Sequence, residues 1–171
     1  MARFVLASSS VNRKEILERA GIEFTVIVSN ADESNGPKAP DALVKELSRR
    51  KLEAVLPKCE SDDLVIAADT VVYIDGEILG KPKDLTDANR FMHLLSGHVH
   101  TVFTGVCMAY HGERVSFSQE TKVKFYPLTE SEIAAYVQSG EPMGKAGGYG
   151  IQGPAAHVMQ EAKKLLKADK I

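Results

Sequence analysis

Apolar and polar positions alternate along this chain in blocks that predict a run of short strands and helices. Phe4-Val5-Leu6-Ala7 predicts a buried strand over residues 3–7, and Ser8-Ser9-Ser10 hands it to a helix. Ile16, Leu17 and Ala20 form that helix's apolar stripe, and Gly21 supplies a left-handed stop. A second strand is expected over 24–28. Residues 31–40 (ADESNGPKAP) have loop composition throughout. A helix then runs from a cap at Asp41 to about Leu56, with Leu43, Leu47 and Val55 apolar. Residues 64–74 carry the strongest strand signal, closed by the hairpin pair Asp75-Gly76. Thr86 caps a helix with Ala88, Phe91 and Leu95 inward and Gly97 as its stop. Extended segments over 99–110 and 114–126 meet at His111-Gly112. Thr129 and Glu132 form a capping box for a helix ending near Gly140. A glycine-rich stretch, 144–153, precedes a tail with Val158, Ala162, Leu165 and Leu166 at helical spacing.

Alternating strands and helices followed by a long strand pair predict an α/β or α+β domain on a mixed sheet. At 171 residues and 44% hydrophobic, the chain suits one domain, or one domain with two lobes. Its 21 basic and 23 acidic residues (net charge −2) argue against general nucleic-acid or membrane-surface binding, while leaving room for a local basic pocket. Cys59 and Cys107 exclude a disulfide scaffold and a four-cysteine zinc site, and point to a reducing, cytoplasmic setting. No apolar run reaches the ~18 residues of a membrane helix. The apolar start is too short for a signal-peptide core.

Five placements of polar residues stand out. Asp69 interrupts the apolar run 64–74, where an uncompensated carboxylate is costly; either it faces solvent at a sheet edge or it serves a metal or a reaction. The serine turn aims backbone N–H groups at one point, and Arg13 sits in the first helical turn, where the helix dipole prefers an acid. Plain capping by Ser9 or Ser10 with Arg13 in solvent competes with anion binding there. Lys51 shares a helical row with Leu47 and Val55, so it snorkels or reaches an anion. Gly76 to Pro82 imitates a P-loop but is one residue short and puts Pro82 where a magnesium-binding hydroxyl belongs; Lys81 stays either a surface residue or a phosphate contact. Gly148 to Gly153 spells the dinucleotide fingerprint without a preceding strand, which excludes a Rossmann site; a glycine loop bearing Gln152 suits a flat polar group such as a base, or is a tight turn. His98 and His100 share a strand face and could bind a metal, but read rather as a solvated pair. His93, His111 and His157 show no partner in sequence.

Taken in chain order, several motifs resemble the Maf-like family of nucleoside triphosphate pyrophosphatases. They are Leu6-Ala7-Ser8-Ser9-Ser10 with Arg13, Asp32-Glu33, Ala68-Asp69-Thr70, Gly80-Lys81-Pro82, and Leu95-Ser96-Gly97 with His100. Thr104-Gly105-Val106, Glu120-Thr121-Lys122-Val123, Gly140-Glu141-Pro142-Met143 and Gly150-Ile151-Gln152-Gly153 follow. The resemblance implies an inosine-triphosphatase-like α/β fold, with a central mixed sheet flanked by helices and two lobes around a deep nucleotide cleft. It implies a single domain over 1–171, often paired as a homodimer. It implies hydrolysis of dTTP and UTP, and of modified pyrimidine triphosphates, to monophosphate and pyrophosphate with Mg²⁺ or Mn²⁺. Asp69 is then general base and, with Glu33, metal ligand. Ser8, Ser10, Arg13, Lys51 and Lys81 hold phosphates, while Asn12, Thr70 and Gln152 select the base.

Two departures from the family pattern bear on these roles. Val11-Asn12 stands where the family has Pro-Arg, and the segment after residue 153 is shorter than the family's. The same chemistry on another base, or a nucleotide-binding or regulatory member with impaired turnover, are the alternatives these departures open.

Overall fold

The computed structural model describes residues 3–150. Gln152, Gly153, His157 and the expected tail helix lie outside the described residues. Six strands form one mixed sheet in the order β2-β1-β3-β5-β6, with β4 also on β3. They are β1 (Phe4–Leu6), β2 (Phe24–Val26), β3 (Leu64–Ile74), β4 (Glu77–Leu79), β5 (Val99–Tyr110) and β6 (Glu113–Lys124). The helices are α1 (Val11–Arg19), α2 (Pro40–Val55), α3 (Leu85–Leu95) and α4 (Glu130–Gln138). β1 runs parallel to β2 and to β3, pairing Leu6 with Ile66, and β4 runs antiparallel to β3. Asp75 (φ 49) and Gly76 (φ 78) make the β3–β4 turn with both residues left-handed, as the Asp-Gly signal requires.

By its contacts the chain divides into two compact units. The first takes the chain up to Thr70 and Phe103–Gln119; the second takes Val71–Val102 and the chain from Glu120. In the first, Leu52 and Val55 of α2 pack with Val5, Ala7, Val65, Ala67, Cys107 and Ala109. Val44, Leu52 and Val55 are wholly buried, so α2 is held by an apolar face rather than by a cap. In the second, Phe91, Met92 and Leu95 of α3 and Ile133 and Val137 of α4 pack with Val72, Ile74, Leu79, Phe125 and Tyr149.

Several local expectations are corrected. The α2 N-cap is Ala39 with Pro40 at the first turn, so Asp41 is a helix residue and not a cap. Asp84, not Thr86, caps α3, its side chain accepting from Asp87 N at 2.8 Å. Ile16 is 64% exposed, Ala20 is exposed and Leu17 is only half-buried, so the expected apolar stripe of α1 is not a buried face. α1 instead holds its ends: Ser10 caps it, and Gly21 N and Ile22 N donate back to Glu18 O and Leu17 O in a Schellman close. The Thr129–Glu132 capping box of α4 is present as expected. His100 is buried, not solvated, and His93 pairs with Glu130.

Candidate functional site

The first unit holds eight of the candidate site residues: Ser8, Ser10, Asn12, Arg13, Glu33, Lys51, Asp69 and Thr70. β1 ends at Leu6, and the buried Ser8 follows. Ser8 Oγ accepts from Ser10 N at 3.1 Å, and Ser10 Oγ from Arg13 N at 3.4 Å, which shapes the turn into α1. The first turn of α1 holds no acid. Arg13 folds inward rather than into solvent. It donates from Nη1 to Ser8 Oγ and from Nη2 to Thr70 Oγ1, both at 3.1 Å. Burial draws its guanidinium down from the usual arginine value, with Asp69 and Glu33 opposing that shift. Asn12, beside it, is exposed.

Asp69 sits on the strand between β1 and β5 and is 8% exposed, so the edge-strand reading fails. Ala67, Ala68 and Asp69 are buried in succession. Lys51 resolves its own alternative by reaching this carboxylate. Its ammonium lies 2.8 Å from Asp69 Oδ1, 3.2 Å from Ala68 O and 3.3 Å from Glu33 Oε1. Three acceptors match the three N–H donors of an ammonium. The Ala68 carbonyl is within Lys51's reach because β1 pairs with β3 only as far as Ile66.

The other carboxylate oxygen, Asp69 Oδ2, is buried without a hydrogen-bond partner among the described residues. Leaving such an atom unpaired costs about 1–3 kcal/mol, which a fold sustains where the atom has other work. Asp69 Oδ2 and the half-exposed Glu33 are hard oxygen donors. Among the described residues no three His, Cys, Asp or Glu side chains cluster as a metal cage. This set fits a small divalent ion of the Mg²⁺ type, which takes one or two carboxylates and completes its shell with phosphate oxygens and water.

Sequence reasoning gave no role to Thr104, whose hydroxyl lies 3.0 Å from Thr70 Oγ1. It reaches Thr70 across neighbouring strands, 34 positions apart, and no local pattern announces such a pair. Gly105, next to it, was a clue: a Cβ there would collide with the Val44 carbonyl, so β5 and α2 touch backbone to backbone. Lys81 lies in the second unit and is exposed. Gln152 lies outside the described residues.

Against this geometry, the family model of Maf-like proteins matches residues 3–165. The chain belongs to the Maf-like protein family. This Maf-like chain is 44% identical over 161 residues to the dTTP/UTP pyrophosphatase of Bacillus cytotoxicus, covering 94% of itself and 84% of that protein. It is 43% identical over 164 residues to the dTTP/UTP pyrophosphatase of Halalkalibacterium halodurans, covering 95% and 86%. In fold it is similar to the Staphylococcus aureus Ham1 protein, with a TM-score of 0.51 at 15% identity over 72% of this chain and 71% of that one. The expected central mixed sheet flanked by helices is borne out.

Proposed function

We propose that this Maf-like chain hydrolyses dTTP and UTP between the α- and β-phosphates, releasing the monophosphate and pyrophosphate. The observation that carries the reading is Asp69, buried with one oxygen on Lys51 and the other unpartnered among the described residues, in a chain so similar to named dTTP/UTP pyrophosphatases. Water oxygen bonds to the α-phosphorus as its bond to the bridging oxygen breaks. The electron pair leaves on pyrophosphate, and the water proton passes to Asp69 Oδ2. Arg13 and Lys51 neutralise phosphate charge, and the N–H groups of the serine turn, shaped by Ser8 and Ser10, add fixed donors. Mg²⁺ or Mn²⁺ would be held by Glu33 and Asp69 and supply further neutralisation of the triphosphate.

The same reading keeps Lys81 as a phosphate contact and Asn12, Thr70 and Gln152 as residues that select the base. It places the reaction in the cytoplasm, supported by two cysteines that are both unpaired. A homodimer, implied by the resemblance, and no nucleic-acid or membrane partner complete it. The test is pyrophosphate release with Mg²⁺ or Mn²⁺ from dTTP, UTP, CTP, GTP and 7-methyl-GTP. Selective release from dTTP and UTP supports the reading. Folded protein that binds a triphosphate and releases nothing overturns it in favour of a binding-only member.

A further inference from the structure

Glu33 reaches Lys51 from a loop between β2 and α2, and something must hold an exposed carboxylate there. Glu33 is 54% exposed at its side chain, and the segment around it has no ladder or helix of its own. A free loop would spread that carboxylate over many positions and leave little of it beside Asp69.

Arg50 supplies the hold. Its guanidinium donates from Nη1 to Asp32 O at 3.0 Å and to Ser34 O at 2.6 Å, and from Nη2 to Asn35 O at 3.4 Å. The first two carbonyls flank Glu33 on either side. The Asp32 side chain tightens the same turn, accepting from Ser34 N at 2.9 Å and from Ser34 Oγ at 2.6 Å. Asn35 closes it in the left-handed region at φ 55. Glu46, one turn earlier on α2, lies 3.8 Å from Arg50 Nε and steadies the guanidinium from behind. Adjacent residues of one helix thus grip one loop: Arg50 holds its backbone, and Lys51 its carboxylate.

We infer that Arg50 is a positioning residue, fixing the 32–35 turn so that Glu33 stands beside Lys51 and Asp69. The planar guanidinium spreads its donors over two nitrogens, Nη1 for Asp32 O and Ser34 O and Nη2 for Asn35 O, whereas a lysine ammonium at this position would have to meet all three carbonyls from one nitrogen. The catalytic consequence rests on the role proposed for Glu33, whereas the mechanical one does not.

Two measurements test this on the full chain. The first is amide hydrogen exchange over 31–36 in Arg50→Ala and Arg50→Lys. About tenfold faster exchange there is expected in Arg50→Ala, and less in Arg50→Lys, with α3 and α4 unchanged. Unchanged exchange over 31–36 overturns the proposal. The second is a double-mutant cycle on dTTP turnover with Glu33→Gln. Arg50→Ala is expected to lower kcat/KM about tenfold and raise the Mg²⁺ concentration for half-maximal rate, and to add nothing once Glu33 is Gln. Full additivity shows that Arg50 does not act through Glu33 and overturns its positioning role. A Glu33→Gln enzyme of normal rate removes Glu33 from the proposed function instead, and the exchange result alone then decides whether Arg50 holds the turn.

Discussion

Lys51 on α2 places its ammonium 2.8 Å from Oδ1 of Asp69 on β3, and leaves Oδ2 of the same carboxylate buried and, among the described residues, unpartnered. Among the described residues the charge of Asp69 is therefore compensated on one side only, and the proposed function uses its second oxygen as the base. Asp69→Asn keeps the shape and removes the basic oxygen. Turnover of dTTP should fall by about 10²- to 10⁴-fold while the far-ultraviolet circular dichroism stays unchanged. A rate near that of the parent enzyme contradicts the assignment of Asp69.

Arg13, Thr70 and Thr104 form a chain of contacts at 3.1 and 3.0 Å. Thr104→Val removes one hydroxyl from it without opening a large cavity. Thr70 then loses a partner, and Arg13 loses a fixed acceptor. The expected result is a KM for dTTP raised about fivefold to tenfold, the worth of one part-buried hydrogen bond, with kcat altered less. Steady-state kinetics separates the two constants, and an unchanged KM removes Thr104 from the site.

Gly105 on β5 has no room for a side chain, because a Cβ meets the Val44 carbonyl and the Lys45 amide of α2. Gly105→Ala must push α2 away, and α2 carries Lys51. A loss of about 1–3 kcal/mol in urea unfolding is expected, together with lower dTTP turnover. Stability and turnover both unchanged would mean that α2 yields without moving Lys51.

Buried among Phe125 and Tyr149, His100 bonds through Nε2 to the Tyr149 hydroxyl at 2.5 Å. Burial pushes its imidazole down from 6.5 to about 4. The unfolded chain therefore binds a proton between pH 6.5 and 4 that the folded chain refuses, so stability falls as pH falls through that window. From pH 7 to pH 5 this single group should remove about 2 kcal/mol of unfolding free energy. In His100→Phe, weaker at both pH values, the difference between them should shrink by about that amount. Urea titrations at the two pH values measure it, and an equal slope in both proteins sinks the assignment.

Element identity was legible where neighbours in sequence decide it. The Asp75-Gly76 turn, the α4 capping box and the apolar run of β3 rest on local backbone and side-chain chemistry, and all are present. Caps were read less well. Asp41 and Thr86 are plausible caps, but Pro40 preorganises the start of α2, and Asp84 satisfies α3 two residues earlier. The α1 stripe misled because Ile16 and Ala20 have the right spacing but both are exposed. The histidines misled for the opposite reason: His100 and Tyr149 are 49 positions apart, and His93 and Glu130 are 37 apart.

By itself the sequence determined the kinds of element, the family and the chemistry-bearing residues: a carboxylate inside an apolar strand, a serine turn opening a helix, a lysine in an apolar row. Those are properties of composition, spacing and local conformation. Tertiary structure alone decided that Lys51 meets Asp69 and Glu33, that Arg13 turns inward to Ser8 and Thr70, and that Thr104 and Arg50 support them. Each of these contacts except the short Arg13–Ser8 reach joins separate segments of the chain, element to element or helix to loop. Its partner is set by strand order and helix packing, which no local window of the chain contains.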